Sequence, residues 1–145
     1  MTQEFEVLII EDSPSDAEMT IRAMTKRNFA TRILHVKDGN EALIFLHGQG
    51  KWEGRQTKDI PKLVLIDLKM PKINGKECLM RMKEHERLKK IPVVVFSSSR
   101  EDSDINECYD LGANGYVVKP VGSEEFEKAI VDLAGYWLAV NEPPH

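Results

Sequence analysis

Residues 7–14 read VLIIEDSP, an apolar run of four that ends directly in two acids. A short apolar run bounded by polar residues is typical of a strand buried on both faces, as in a parallel sheet. Residues 63–67 read LVLID and repeat this pattern with one acid. Ligands bind outside the carboxyl ends of the strands in an open parallel sheet. We therefore expect Glu11, Asp12 and Asp67 to meet at one functional edge.

Two later apolar runs deliver further polar groups to the same edge. Residues 93–96 read VVVF and lead to Ser97, and residues 116–118 read YVV and lead to Lys119. Three carboxylates repel one another unless a cation sits among them or a proton joins one. Acidic oxygen ligands without a cysteine or a paired histidine favour Mg²⁺ over zinc. The lysine supplies a point charge for a phosphoryl oxygen.

This set of groups also predicts a nucleophile. With a metal ion and Lys119 neutralising the phosphoryl oxygens and Ser97 donating a hydrogen bond, a carboxylate can attack phosphorus. Asp67 is the candidate, because its strand is expected to lie centrally, between the strand of Glu11 and Asp12 and the strand of Ser97.

Strand-like runs alternate with helical patterns five times, which is typical of βα units and a parallel sheet. Ser13, Asp38 and Asn74 each occupy a favourable N-cap position before a helical pattern, and Gly112 can end the fourth helix in a left-handed turn. The polar stretch 48–61 is predicted as an extended loop. We predict a single α/β domain spanning residues 1–145, with a core of about 5–140 and no output domain.

Composition narrows the class of protein. The chain has 145 residues, of which 41% are hydrophobic and 30% charged, as expected of one soluble domain. No apolar stretch approaches the about 20 residues that span a bilayer, and the acidic N-terminus lacks the basic start of a signal peptide. We expect a cytoplasmic protein with no membrane partner. The net charge of −4 gives no support to nucleic-acid binding.

Four segments together resemble the receiver domains of two-component response regulators. The four segments are residues 10–14 (IEDSP), 67–75 (DLKMPKING), 95–98 (VFSS) and 112–120 (GANGYVVKP). Their order and spacing agree with those of the receiver family across nearly the whole chain. The resemblance implies a flavodoxin-like (βα)5 fold, doubly wound, with strand order 2-1-3-4-5. It thus implies that the first and third strands are neighbours at the topological switch point.

The resemblance also implies a phosphoacceptor and a metal site. Asp67 would accept a phosphoryl group from a sensor histidine kinase. Mg²⁺ would be held by Glu11, Asp12, Asp67 and the main-chain carbonyl of Lys69. The protein would catalyse only its own phosphorylation and dephosphorylation, and it would signal through contacts with other proteins. Glutamate at position 11 replaces the more frequent aspartate and preserves the chemistry.

Further roles follow from the same resemblance. Ser97 and Lys119 would bind phosphoryl oxygens, with serine replacing the more frequent threonine at position 97. Tyr116 would be the aromatic switch that turns inward when Ser97 moves. The bond between Lys119 and Pro120 would be cis, which is unusual even for proline.

A narrower resemblance lies near the C-terminus. Residues 135–141 read GYWLAVN and, with the long loop before the third strand, are similar to the small response regulators that partner bacterial phytochromes. A bacteriophytochrome is therefore a candidate for the kinase, although close relatives of that group also occur without a phytochrome.

Two other classes share part of the pattern. Phosphatases of the haloacid dehalogenase type also place a nucleophilic aspartate after an apolar strand, but they need a second aspartate two residues later, where this chain has Lys69. A pseudo-receiver that no longer takes phosphate usually lacks an acid or the lysine, and here all of them are present.

The final helix carries more apolar residues than one core stripe needs. Phe126, Ile130, Leu133 and Trp137 lie on one face at helical spacing. A second set widens the apolar arc and predicts a homodimer face, made of Val131, Ala134 and Leu138. The alternative is a wide helix that lies deep against the sheet.

Overall fold

Five strands and five helices alternate along the chain in the predicted order. The structure is a computed structural model that describes residues 5–70 and 72–144; the ends of the predicted domain and Pro71 of the quoted motif lie outside the described residues. The strands are β1 (Val7–Ile10), β2 (Ile33–Val36), β3 (Leu63–Ile66), β4 (Val93–Ser97) and β5 (Gly115–Val118). The helices are α1 (Pro14–Lys26), α2 (Gly39–Leu46), α3 (Gly75–Glu84), α4 (Asp102–Asp110) and α5 (Ser123–Ala134).

The five strands form one parallel sheet in the order β2-β1-β3-β4-β5, which confirms the predicted topology. β1 pairs with β3 so that Ile10 lies opposite Ile66. The residues that follow, Glu11 and Asp67, therefore leave the sheet side by side. β1, β3 and β4 are fully buried, whereas β5 is a half-buried edge strand.

The core has two halves, one on each face of the sheet. Successive residues of a strand point to opposite faces, so Leu8 and Ile10 of β1 pack in the half covered by α2 and α3. Val7 and Ile9 pack in the other half, covered by α1 and α5. Burial of each such side chain contributes about 1.5–3 kcal/mol, which explains why the strand sequences are apolar without alternation.

Side-chain caps begin the first three helices, as predicted. Ser13 accepts a hydrogen bond from the N–H of Asp16, Asp38 from Glu41, and Asn74 from Glu77. Each cap stands in the short connection that follows a strand, so it fixes where the chain leaves the functional edge. Gly112 has a φ of 105°, which confirms the predicted left-handed turn after α4.

The loop between α2 and β3 is more ordered than its polar sequence predicts. Residues Gly50–Trp52 form a 3₁₀ turn, and the Trp52 ring packs edge-on against Phe45 at 5.0 Å. Arg55 donates to the carbonyl of Phe45, and Arg87 donates to that of Leu46. The guanidinium groups of Arg55 and Arg87 thus provide hydrogen bonds to the last carbonyls of α2. Both arginines lie outside α2, so the sequence of the helix does not reveal these bonds. No described helix is long and apolar enough to cross a bilayer.

The predicted dimer face is wrong for two of its three residues. Ala134 is fully buried and Leu138 is only 7% exposed, and both pack in the core half between the sheet, α1 and α5. Only Val131 is half-buried. The wide apolar arc of this helix therefore packs in the core, which agrees with the alternative of a wide helix that lies deep against the sheet. The homodimer stays a prediction.

Contacts from remote parts of the chain explain this burial. After α5 the chain continues as a π-helical segment, Gly135–Val140. A Cβ on Gly135 would lie 3.6 Å from the Phe29 ring, so this ring packs against the segment. The Lys62 ammonium donates to the Leu138 carbonyl at 2.6 Å. Trp137 and Leu138 also pack in the core half covered by α1 and α5, so the segment lies against its own fold.

A charge at position 138 is expected to disrupt the fold rather than an interface between copies. Leu138→Glu buries a carboxylate without a partner, which costs several kcal/mol. The midpoint of urea denaturation should fall sharply. Val140→Glu is the matched control, because Val140 is 73% exposed and its variant should denature close to the parent. Equal midpoints for both variants would contradict the burial of Leu138.

Candidate functional site

Three carboxylates meet at the carboxyl ends of β1 and β3. Glu11, Asp12 and Asp67 each offer an oxygen atom, and these oxygens lie within 4.8 Å of one another. Glu11 is buried, Asp67 is half-buried and Asp12 is exposed. The parallel register of β1 and β3 brings them together, as the sequence predicts.

Lys119 inserts its ammonium among these acids. Its Nζ atom lies 2.6 Å from Glu11 Oε1, 2.9 Å from Asp16 Oδ2 and 3.3 Å from Asp67 Oδ2. The side chain is only 9% exposed. Its backbone N–H donates to the Ser97 carbonyl, which continues the pairing of β4 with β5. The sheet therefore fixes where the lysine side chain begins.

The site is crowded with negative charge. Burial raises the pKa of Glu11 to about 7, the Asp67 charge adds to this, and the hydrogen bond from Lys119 opposes it. For Lys119, burial acts to lower the pKa, but hydrogen bonds to Glu11 and Asp16 outweigh burial and raise it. In the described part of the chain, the carboxylates of Glu11, Asp16 and Asp67 share the Lys119 ammonium, and Asp12 adds a further carboxylate beside Glu11 and Asp67.

The donor set suits a hard divalent cation. Mg²⁺ prefers carboxylate, carbonyl and water oxygens, and the three clustered acids supply such oxygens without thiolate or imidazole groups among them. The Asp12 carboxylate is exposed and the Asp67 side chain is 11% exposed, so Asp12 is the member of the cluster most open to an ion with its waters. Lys69 lies on the surface two residues after Asp67, and the role of its carbonyl stays a prediction.

The loop between β3 and α3 holds Asp67 tightly. The Leu68 N–H donates to Asp67 Oδ1 at 2.8 Å, and the Gly75 N–H donates to the Leu68 carbonyl at 3.0 Å. A Cβ on Gly75 would stand 2.2 Å from the Asp67 carbonyl oxygen. No side chain fits there, so this glycine lets the start of α3 approach the carboxylate-bearing strand.

Ser97 and Tyr116 are connected through Ser99. Ser97 is 1% exposed at the end of β4, and its Oγ accepts from the Ser99 N–H at 3.2 Å. The Tyr116 hydroxyl donates to the Ser99 carbonyl at 2.9 Å, and its half-buried ring packs against the core. The two residues predicted to act as a switch thus share one loop segment.

The bond between Lys119 and Pro120 is trans, since no cis peptide bond occurs in the described part of the chain. The predicted cis bond is therefore wrong. Trans is the intrinsically favoured isomer before proline, by about 0.5–1 kcal/mol. In this geometry the lysine side chain already reaches its three carboxylate partners.

Asp16 is the site residue that the sequence did not reveal as such. It lies in the first turn of α1, where an acid is favourable to the helix dipole whether or not it has a partner. Its contact with Lys119 joins residues 103 positions apart. No local signal marks such a contact.

The chain belongs to the response regulator receiver domain family, whose model matches residues 7–131. It is thus a receiver-domain response regulator, one of a class of signalling proteins. The probable methanogenesis regulatory protein FilR2 of Methanothrix harundinacea (strain 6Ac) is 37% identical over 142 residues, covering 97% of this chain and 88% of FilR2.

Among solved structures the chain is similar to single-domain response regulators of the phytochrome type. The phosphorylated cyanobacterial phytochrome response regulator RcpA matches with a TM-score of 0.89 at 30% identity, covering 96% of this chain and 97% of RcpA. The Mn²⁺-bound form of response regulator Rcp1 matches with a TM-score of 0.88 at 30% identity, covering 96% of this chain and 98% of Rcp1.

The Asp16–Lys119 pair can be tested by a double-mutant cycle in metal-free buffer. Asp16→Asn should lower the free energy of unfolding by about 1–2 kcal/mol, because it weakens a charged hydrogen bond. With Lys119→Met as background, the same change should be neutral or stabilising, since Asp16 then only repels the other acids. Urea denaturation measures all four proteins. Equal effects in both backgrounds would mean that Asp16 acts on the helix dipole alone.

Proposed function

We propose that this protein is a phosphorylation-dependent signalling switch in which Asp67 accepts a phosphoryl group from a sensor histidine kinase. The observation that carries the proposal is the meeting of Asp67 with two further acids and Lys119 at one sheet edge. Membership of the receiver family and the phosphorylated state of RcpA support it.

The transfer step would use the groups that already hold Asp67. A carboxylate oxygen of Asp67 would form a bond to phosphorus while the phosphorus–nitrogen bond of the donor's phosphohistidine breaks and its imidazole leaves. Leu68 and Lys119 each hold one oxygen of the Asp67 carboxylate, so the group is oriented before the donor arrives. Lys119 and Ser97 would then donate hydrogen bonds to phosphoryl oxygens.

Glu11, Asp12, Asp67 and the Lys69 carbonyl would hold Mg²⁺ in this reaction. The bound ion would neutralise the charge that the phosphoryl oxygens bring to the acids. The Mn²⁺-bound form of the similar protein Rcp1 supports the binding of a divalent ion. Glu11 is already held through both oxygens, by Lys119 and by the Ser13 N–H. Asp12 would therefore make the more direct contribution to metal affinity.

The output would travel through the loop after β4. The Ser97 hydroxyl would move toward the phosphoryl group and donate a hydrogen bond to it. Tyr116 would then turn further inward from its present position, in which its hydroxyl donates to the Ser99 carbonyl. The change would alter a surface on which other proteins dock. The similarity to phytochrome response regulators such as RcpA supports a kinase of the phytochrome type.

Labelling with a small phosphodonor tests the acceptor. Incubation with acetyl phosphate and Mg²⁺ should add one phosphoryl group, read by intact-mass spectrometry, and hydroxylamine should remove it as expected of an acyl phosphate. Asp67→Asn should abolish the mass gain. Asp110→Asn is the matched control, because Asp110 is exposed at the end of α4. Persistent labelling of Asp67→Asn, or a hydroxylamine-resistant adduct, would sink the proposal.

The metal requirement has its own test. Asp12→Asn keeps the side-chain shape but removes a charge, and we expect it to weaken Mg²⁺ binding by at least about tenfold in calorimetric titration. Glu11→Gln should weaken it less. Chelation of the ion with EDTA should stop acetyl phosphate labelling of the parent, and added Mg²⁺ should restore it. Unchanged Mg²⁺ affinity in Asp12→Asn would contradict this assignment.

A further inference from the structure

A series of hydrogen bonds outside the acid cluster links α3, α4 and the loop after β4. The Lys76 ammonium donates to Asp104 Oδ1 at 2.7 Å and to Glu107 Oε2 at 2.7 Å. The Ser99 hydroxyl donates to Asp104 Oδ2 at 2.5 Å. Each carboxylate oxygen of Asp104 is thus bound by a different segment of the chain.

Ser99 carries this link to the predicted switch residues. Its N–H donates to Ser97 Oγ at 3.2 Å, and its carbonyl accepts from the Tyr116 hydroxyl at 2.9 Å. Its own hydroxyl is the donor to Asp104. All three polar groups of Ser99 are therefore engaged, and Asp104 is the partner that belongs to a helix.

Asp104 and its partner Lys76 are less exposed to solvent than the side chains of an ordinary surface ion pair. The side chains of Lys76 and Asp104 are 27% and 28% exposed, whereas that of Glu107 is 54% exposed. The hydrogen bond from Lys76, followed by that from Ser99, holds the pKa of Asp104 below its usual range. The carboxylate thus stays ionised, and hydrogen bonds to an ionised acceptor are stronger than neutral ones.

We propose that Asp104 is a positioning residue that holds Ser97 in its resting place through Ser99. This inference rests on the proposed function, because Ser97 has to turn its hydroxyl to a phosphoryl group on Asp67. The Ser97 hydroxyl accepts a hydrogen bond from the Ser99 N–H, so a shift of Ser97 pulls on Ser99. This pull strains the hydrogen bond from the Ser99 hydroxyl to Asp104. Asp104 therefore favours the unphosphorylated arrangement, and phosphoryl binding works against it.

The consequence is a difference in affinity between two states of one loop. A ligand shifts such an equilibrium only by its differential affinity for the two states. Loss of the Asp104 bond lowers the free energy of the phosphoryl-bound arrangement relative to the resting one. The protein without this bond should bind a phosphoryl analogue more tightly, although it has lost a stabilising contact.

Beryllofluoride binding in excess Mg²⁺ provides the test, since this analogue reports the bound state without hydrolysis. Calorimetric titration should show Asp104→Ala binding beryllofluoride about three- to tenfold more tightly than the parent. Asp104→Asn keeps an oxygen acceptor for the Ser99 hydroxyl and should return most of the way to the parent affinity. Ser99→Ala removes the same bond from the other side and should resemble Asp104→Ala.

Glu107→Ala is the matched control. It removes the same charge from the same helix and also loses a bond to Lys76, but it leaves Ser99 bonded to Asp104. Its beryllofluoride affinity should change less than twofold. Circular dichroism melting confirms that each variant is folded, and a merely structural role for Asp104 would lower melting temperature without raising affinity.

The outcomes separate this inference from the proposed function. Equal affinities for Asp104→Ala and Glu107→Ala would mean that only charge matters, and this would overturn the positioning role. Weaker binding by Asp104→Ala, or by Ser99→Ala, would do the same. A parent that binds no beryllofluoride in Mg²⁺ would instead refute the proposed function, and the inference would fall with it.

Discussion

The ammonium of Lys119 is the group on which the arrangement of the site depends. It is nearly buried and hydrogen-bonded to three carboxylates, which lie directly after β1, in α1 and directly after β3. Removal of one partner from a buried charged group leaves the remainder uncompensated, which costs far more than a surface ion pair contributes. The sheet edge can gather its acids because β5 delivers this one positive charge among them.

The register of the strands fixes the position of Lys119 and of the acids around it. The register of β1 with β3 sets Glu11 beside Asp67, and the pairing of β4 with β5 sets Ser97 beside Val118, directly before Lys119. Gly75 then allows α3 to start against the Asp67 carbonyl. Groups that are far apart in sequence are thus fixed by three features. These are the burial of the apolar strands, the side-chain caps at the helix starts and the absence of a side chain at Gly75.

Much of this was accessible from the sequence because a parallel sheet turns sequence position into spatial position. A residue directly after a buried strand must lie at the carboxyl edge, so the prediction for Glu11, Asp67, Ser97 and Lys119 needed only the strand ends. The N-caps were equally local, since each cap bonds a residue three positions later.

The remaining features depend on contacts that have no local signature. Asp16 satisfies the helix dipole with or without Lys119, and Asp104 looks like any acid in a first helical turn. The apolar width of α5 is the same for a helix that meets a second copy and for one that lies deep in its own core. Contacts with residues remote in sequence, such as Phe29 and Lys62, place this helix and the segment after it in the core. The cis isomer predicted for the bond before Pro120 rests on family resemblance and not on a physical constraint of this chain.

The edge of the sheet opposite the acids is anchored through main-chain carbonyls. Arg55 and Arg87 bind the end of α2, and Lys62 binds the π-helical segment. Three long cationic side chains thus tie the ends of helical elements to neighbouring segments without using any carboxylate of the opposite edge. The two ends of the sheet are therefore held by different chemistry, with cationic side chains on main-chain carbonyls at one end and ion pairs between side chains at the other. Under the proposed function, the charge that a phosphoryl group adds to Asp67 would act on the ion-paired end and not on the three contacts to main-chain carbonyls.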